Sequence, residues 1–260
     1  MSRLKAATIH FTISFSIFLI FLYFILIQWY PKPLFSTDGG WQVIKIIVGV
    51  DLILGPLLTL IVFKAGKPGL KFDLTMIAFI QILALSWGGY NTYNERPAAL
   101  IYTFDFFTPV PAYQLEEQGI TAEKLKEFGD GWPVLIYIDV PKEKVSSALG
   151  ESMRAGKPLY LFSKYYSSLG KEQAHVLKEN SMDLEKYVED KPKLKTLYQH
   201  SLAARPTNAN ISYLALHSRE KWVTAVFDID SMKVIDTIDI EPSAYTYAQK
   251  VNRKKTSDNK

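Results

Sequence analysis

One carboxylate lies in the middle of a long apolar run. Asp51 has apolar or glycine neighbours on both sides, and Gly55 and Pro56 follow one helical turn later. A carboxylate at the centre of a bilayer costs roughly 2.5–3.5 kcal/mol on insertion scales, so it usually faces a protein neighbour or a water-filled cavity. Pro56 donates no backbone hydrogen bond, which leaves the carbonyl of Leu52 without its usual partner and predicts a kinked helix. These residues mark the place where a membrane bundle would do something specific.

A second polar residue, Gln81, lies near the middle of the next apolar run. A short loop joins the two runs, so Asp51 and Gln81 could meet across a helix pair. In one interpretation, Gln81 satisfies Asp51, or the carbonyl freed by Pro56, as structural support worth about 1 kcal/mol. In the other, both side chains contact a guest helix from a partner protein. One acid and one amide do not make a proton relay.

Other kinds of chemistry find little support in the sequence. The absence of cysteine excludes disulfides, thiolate metal sites and cysteine nucleophiles. The four histidines share no metal-ligand spacing, and the acids near the C-terminus do not follow the pattern of a calcium loop. No Gly-x-Ser-x-Gly, Walker or dinucleotide motif occurs. We therefore expect a protein that is not an enzyme and has no cofactor or metal. The residues concerned are His10, His175, His200, His217, Asp228, Asp230, Asp236 and Asp239.

Three apolar runs, at about 8–30, 42–63 and 74–93, predict a three-helix transmembrane domain over 1–94. About 20 apolar residues suffice to cross a bilayer. The first run is too long for a secretory signal and has no small-residue cleavage site, so it indicates an uncleaved anchor. Asp73 is the expected N-cap of the third helix.

The charges predict the orientation of these helices. Residues 1–94 hold 7 Lys and Arg against 3 Asp and Glu, whereas residues 95–260 hold 23 of each, so the basic balance belongs to the membrane half and does not indicate nucleic acid. Basic residues favour the cytoplasmic side. We expect a cytoplasmic N-terminus and an extracytoplasmic C-terminal domain. The five basic residues on the predicted cytoplasmic side are Arg3, Lys5, Lys64, Lys67 and Lys71, against Lys32, Lys45 and Arg96 on the other.

The remainder, 95–249, predicts a small α+β domain, followed by a disordered basic tail over 250–260. Strands are expected at 98–107, 133–140 and 159–162, and helices at 121–128, 141–154 and 171–202, the last broken by Pro192. Alternating β-branched residues over 211–240 predict a C-terminal antiparallel β-meander. The predicted fold class is therefore three transmembrane α-helices followed by a small α+β extracytoplasmic domain.

Several segments together resemble the TfpX/TfpZ type IV pilin accessory proteins. They are Val-Asp-Leu-Ile-Leu-Gly-Pro-Leu-Leu-Thr-Leu-Ile-Val-Phe at 50–63, Lys-Pro-Gly-Leu-Lys-Phe-Asp-Leu at 67–74, Ile-Gln-Ile-Leu-Ala-Leu at 80–85, and Arg96-Pro97. The resemblance covers residues 1 to about 107. In the domain that follows, only the size, the position in the chain and the β-rich ending are similar to the family.

The resemblance implies a multi-pass protein of the bacterial inner membrane with a periplasmic C-terminal domain. It implies a chaperone-like helper that binds a cognate major pilin and promotes or modulates its assembly into type IV pili, with other inner-membrane proteins of the pilus machine as further candidate partners. The family supplies no catalytic residues. Among the positions that carry the resemblance, we interpret five as partner-binding residues: Asp51, Gly55, Pro56, Gln81 and Arg96.

Two other classes of function remain as alternatives. A membrane-anchored extracytoplasmic sensor or ligand-binding protein would signal inward, but the predicted cytoplasmic parts are a few residues and one short loop. A membrane enzyme would need a convergent catalytic set, which acids and histidines distant in sequence could form only in the fold.

Overall fold

The computed structural model of the chain describes residues 2–205 and 209–242. The predicted tail, 250–260, lies outside them. The chain divides into two compact units. Of the described residues, those up to Pro31 and Gly39–Arg96 form one unit, and Lys32–Asp38 and those from Pro97 onward form the other.

The first unit contains three helices that are long and apolar enough to cross a membrane: α1 Arg3–Trp29, α2 Gly40–Val62 and α3 Leu70–Asn94. The predicted N-cap of the third is wrong. α3 begins after Gly69, whose φ of +81° suits glycine, and Asp73 lies inside the first turn with its carboxylate 2.6 Å from Lys67 Nζ. An acid in this turn still interacts favourably with the positive end of the helix dipole.

The second unit is built on a seven-stranded mixed sheet. Its strands are β1 Pro97–Thr103, β2 Phe106–Pro111, β3 Val134–Ile138, β4 Tyr166–Ser168, β5 Ile211–His217, β6 Trp222–Asp228 and β7 Lys233–Ile238, in the spatial order β4-β3-β1-β2-β5-β6-β7. The pairs β1–β3 and β2–β5 are parallel, and all other neighbours are antiparallel. The last three strands therefore form one side of a larger sheet.

The strand sequences follow from their places in this sheet. All seven residues of the interior strand β1 are buried, which explains why every residue of the strand before Thr103 is apolar or aromatic. β3 alternates between buried and half-buried positions, as expected for a strand whose two faces have different neighbours. One core on the sheet combines Tyr102 and Phe107, whose ring centroids lie 4.8 Å apart, with Leu214 and Phe227.

Among the residues that the structure describes, six short helices connect the strands, and one local prediction about such segments is wrong. The helices are α4 Ala112–Glu116, α5 Ala122–Leu125, α6 Val145–Ala155, α7 Ala174–Glu179, α8 Leu184–Val188 and α9 Pro192–Ala203. The predicted strand at 159–162 is a 3-10 turn, Leu159–Leu161. The predicted break at Pro192 is present: one helix ends at Val188, and Pro192 is the first residue of α9, where the helix needs no backbone N–H.

The connection between α1 and α2 belongs to the core of the second unit. Leu34 is 2% exposed and packs with Leu100, Phe107 and Leu216, although these residues lie far from it in the chain. At the end of the same segment, the buried Asp38 carboxylate accepts hydrogen bonds from the Arg219 backbone N–H at 3.1 Å and from Thr37. The segment Lys32–Asp38 is therefore a structural part of the C-terminal domain.

Asp38 should make the stability of this domain depend on pH. Burial raises the pKa of its carboxyl to about 6, against the partial offset of the Arg219 and Thr37 hydrogen bonds and the Arg219 charge, while Glu220 raises it further. The folded state thus binds the proton more tightly than the unfolded state. Stability falls as pH rises from about 3.8 to about 6, by at most about 3 kcal/mol.

The test compares the Tm of the wild type with that of Asp38→Asn between pH 4 and pH 7. Asn keeps an oxygen for the Arg219 N–H but cannot ionise. The Tm of the variant relative to the wild type should rise with pH through this window and level off above about pH 6.5. A difference in Tm that is the same at every pH would contradict the prediction.

Candidate helix-binding groove

Asp51 lies in a π-helical turn at the middle of α2. The helix is α-helical over Gly40–Ile47, π-helical over Val48–Leu54 and α-helical again over Gly55–Val62. The Gly55 N–H donates to the Val50 carbonyl, five residues back. The sequence predicts an α-helix kinked at Pro56, but in this register the carbonyl facing Pro56 is that of Asp51, not Leu52. Such π-helical turns are rare and are frequently found at functional sites.

Gly55 lets α3 bring Gln81 against the backbone of α2. A Cβ placed on Gly55 would lie 2.7 Å from Gln81 Cδ and closer still to Nε2, so any side chain there would push the amide away. The amide lies close enough to Asp51 to act as a hydrogen-bond donor to its carboxylate, and Asp51 as a residue is 7% exposed. The structure thus brings together three of the predicted site residues, Asp51, Gly55 and Gln81.

Sequence reasoning missed two further polar residues of this cluster. His10 Nδ1 of α1 lies 2.6 Å from Thr59 Oγ1 of α2, and His10 is close enough to Asp51 to interact with it electrostatically. As the only histidine of the membrane half, His10 has no partner in the sequence that would suggest a role. Its spacing of four residues from Ser14, which puts both on one helix face, is the signal that could have revealed this face.

The first and third helices both pack along α2 and touch each other toward their C-terminal ends. There the Tyr30 hydroxyl donates to the Thr92 carbonyl at 3.3 Å, and the Trp29 and Tyr93 rings meet edge to face at 5.6 Å. A Cβ on Gly89 would lie 3.0 Å from the Phe21 ring, so glycine permits this approach.

Between the N-terminal halves of α1 and α3, a groove of about 350 Å³ remains. Apolar side chains form most of its walls, and α2 contributes polar groups to its floor. The lining residues are Ala6, Ile9, His10, Ile13, Ser14 and Ile17 from α1, Asp51 and Thr59 from α2, and Leu74, Ala78, Gln81, Ile82 and Leu85 from α3. This arrangement can receive an elongated apolar object and offer it a few polar contacts.

Arg96 does not belong to this cluster. It lies beyond the end of α3, roughly 20 Å from Gln81 at the 1.5 Å rise of a helix. Its guanidinium donates to the Tyr93 carbonyl and lies 3.5 Å from the centre of the Tyr93 ring. This stacking is a cation–π contact that holds Arg96 near the helix end. Arg96 therefore lies apart from Asp51 and Gln81, and its contact with a partner stays a prediction.

The acidic residues near the C-terminus have ordinary partners. Asp228 accepts from Ser231 Oγ at 2.6 Å, Asp236 from Ser201 Oγ at 2.7 Å, and Asp239 pairs with Lys221 at 2.6 Å. Over residues 2–205 and 209–242, no three His, Cys, Asp or Glu side chains are grouped so that they could hold a metal ion.

These features define a class of protein with three long apolar helices, a polar-floored groove between them and a mixed α+β domain. No family model matches the chain, and no solved structure is similar to it. The chain is 38% identical over 104 residues to the fimbrial assembly protein of Dichelobacter nodosus serogroup E1. It is 36% identical over 104 residues to that of serogroup I and to that of serogroups C1 and C2.

Each match covers 39% of this chain. The chain spans 40% of the length of the serogroup E1 and I proteins and 79% of that of the serogroups C1 and C2 protein. It therefore belongs to the family of these fimbrial assembly proteins.

Proposed function

We propose that this chain is a pilin accessory protein of the TfpX/TfpZ kind, which binds a cognate type IV major pilin in the bacterial inner membrane and promotes its assembly into pili. The names of the Dichelobacter relatives support a role in building fimbriae. The finer role, that of a chaperone for one pilin, rests on the resemblance of residues 50–97 together with the groove.

The groove is the observation that carries this proposal. A pilin of the kind that the resemblance implies waits in the inner membrane with an apolar N-terminal helix embedded and its head outside. The walls of the groove offer such a helix apolar contacts, and Asp51, Gln81 and His10 offer it polar ones. Small or polar groups that contact across helices are the main source of specificity inside a membrane, where burial of apolar surface gives no driving force.

The rest of the proposal follows from this role. Holding a subunit needs no covalent step, so the protein acts without catalysis. The basic residues near the N-terminus and between α2 and α3 favour the cytoplasmic side, which puts the C-terminal domain in the periplasm beside the pilin head. Other inner-membrane proteins of the pilus machine would take over the pilin when this chain releases it.

Photo-crosslinking at the rim of the groove tests the proposal. Ile82 lines the groove and is 62% exposed, so a photo-reactive amino acid fits there; at position 81 it would collide with Gly55. Ile53 of α2 is the matched control, because it is 60% exposed, lies at a similar depth and does not line the groove. Irradiated cells should give a pilin-sized adduct from position 82 at least 10-fold more abundant than from position 53.

Mass spectrometry should locate the adduct in the N-terminal helix of the pilin. Equal adducts from both positions, or adducts from position 82 only to α1 of the same chain, would refute the pilin-binding groove. Asp51 and Gln81 would then be structural support, and the C-terminal domain would be the place to look for partner contacts.

A further inference from the structure

The groove reaches only part of the way through the bundle. On α1 it extends from Ala6 to Ile17, which is about 18 Å at 1.5 Å per residue, against a hydrocarbon core of about 30 Å. Beyond it, the contacts of Trp29 and Tyr30 with α3 close the space between the two helices. A bound helix would therefore be held over about three turns. Those turns pass Asp51, which is the middle residue of the 23-residue helix α2.

The polar groups at the floor of the groove offer more hydrogen-bond acceptor sites than donors. An ionised carboxylate accepts only, with about four lone-pair sites on its two oxygens. Among the described residues that line the groove, Asp51 is the only acid, and the Gln81 amide can donate at most two hydrogen bonds. The Thr59 hydroxyl is already engaged with His10 Nδ1. An ionised Asp51 therefore has more acceptor sites than Gln81 can fill, and Nδ1 of His10, the other polar neighbour of Asp51, is engaged with Thr59.

Lipid alone suits the walls of this groove but not its floor. The rim residues Ile13 and Ile82 are largely exposed, and acyl chains can cover them without loss. An acyl chain has no donor to offer Asp51, and a carboxylate facing hydrocarbon is costly. An occupant that supplies a donor at this depth removes that cost, so it has an advantage over lipid that an all-apolar helix lacks.

We propose that the groove selects a transmembrane helix that presents a hydrogen-bond-donating group opposite Asp51, an amine in preference to a hydroxyl. The occupant is a helix of another protein, and its identity as a pilin rests on the proposed function. Ala78 on the wall leaves room for such a helix to approach closely. Gln81, which lines the groove beside Asp51, then lies next to the incoming donor.

Designed peptides test this preference without knowledge of the natural partner. Four labelled Leu/Ala helices of about 23 residues would differ only at the central residue: Leu, Ser, Lys or Glu. Their binding to the full chain in lipid nanodiscs can be measured by energy transfer to a dye on the chain. The Lys peptide should bind at least 10-fold more tightly than the Leu peptide, the Ser peptide about 3-fold more tightly, and the Glu peptide no better than the Leu peptide.

Two carboxylate variants locate the source of the preference. In Asp51→Asn, the ratio of Lys-peptide to Leu-peptide affinity should fall to about 1. Asp73→Asn removes an equal charge from the same unit outside the groove, where Asp73 pairs with Lys67, and should keep the wild-type ratio. Because a ratio is compared, a general loss of folded protein does not imitate the result.

Equal binding of all four peptides to the wild type, or no binding of any, would overturn the proposed preference. So would a loss of preference in Asp73→Asn equal to that in Asp51→Asn. A preserved preference for Lys, combined with no pilin adduct from position 82 in cells, would uphold donor recognition and refute the pilin as partner. The two proposals can therefore fail separately.

Discussion

Bacteria that carry Asp51→Leu in this chain should lose at least nine-tenths of their surface pili while the amount of the protein stays normal. The substitution removes the acceptor at the floor of the groove and leaves the Gln81 amide facing an apolar side chain. It also removes a charge that costs roughly 2.5–3.5 kcal/mol on insertion into a bilayer. Membrane insertion should therefore become easier, so that lost pili would report lost recognition.

The measurement is a count of sheared pili beside an immunoblot of the membrane fraction. Asp73→Leu is the control, since it removes a carboxylate at the exposed start of α3 that pairs only with Lys67 among the described contacts. The control should keep most of its pili. Normal piliation with a normal level of the Asp51→Leu protein would contradict the prediction that Asp51 acts on a partner.

Much of the structure of residues 1–94 can be predicted from the sequence because its signals are local. A long apolar run predicts a helix, and a polar residue inside the run predicts a polar neighbour. Asp51 and Gln81 can be paired in this way from the sequence alone. What local signals do not contain is the angle between helices, so the divergence of α1 from α3, and with it the groove, could not be foreseen.

The role of Gly55 and the inclusion of His10 illustrate the same limit. The pair Gly55-Pro56 in an apolar helix predicts a kink, whereas the structure shows that the missing side chain of Gly55 is what admits Gln81. In the sequence, His10 is only a histidine without metal-ligand spacing, whereas the packing of α1 on α2 brings it to Thr59. Both facts depend on which helix faces which, and a 3.6-residue period leaves that undetermined.

In the C-terminal domain, too, local features can be predicted from the sequence and long-range pairings cannot. Periodicity predicts most individual strands, including those over 211–240. It does not say that β1 pairs with β3 and β2 with β5 in parallel, because those partners are separated by long stretches of chain. Nor does it show that Leu34, from the connection between two apolar helices, completes a core of the domain.

Gly55→Ala should weaken the pilin adduct at position 82 by about 10-fold, and it should do so through Gln81. The added Cβ would overlap the amide, which must swing away from Asp51. Alanine is itself the better helix former by about 1 kcal/mol, so the helix is not the cause of the loss. Gly49→Ala is the matched control in the preceding π-helical turn of α2, since a Cβ on Gly49 would meet nothing within 4 Å.

A double-variant cycle separates this mechanism from general disruption. If Gly55 serves only to seat Gln81, then Gln81→Leu alone should lose about as much adduct as Gly55→Ala, and the double variant should lose no more than either. Two residues that act through one contact are not additive, whereas independent defects multiply in the adduct yield. A 100-fold loss of adduct in the double variant, or a 10-fold loss in Gly49→Ala, would contradict this mechanism. The loss would then come from a change in the helix backbone and not from the displaced Gln81 amide. The measurement therefore decides whether the polar floor of the groove acts as one unit, with Gly55 as the position that makes it possible.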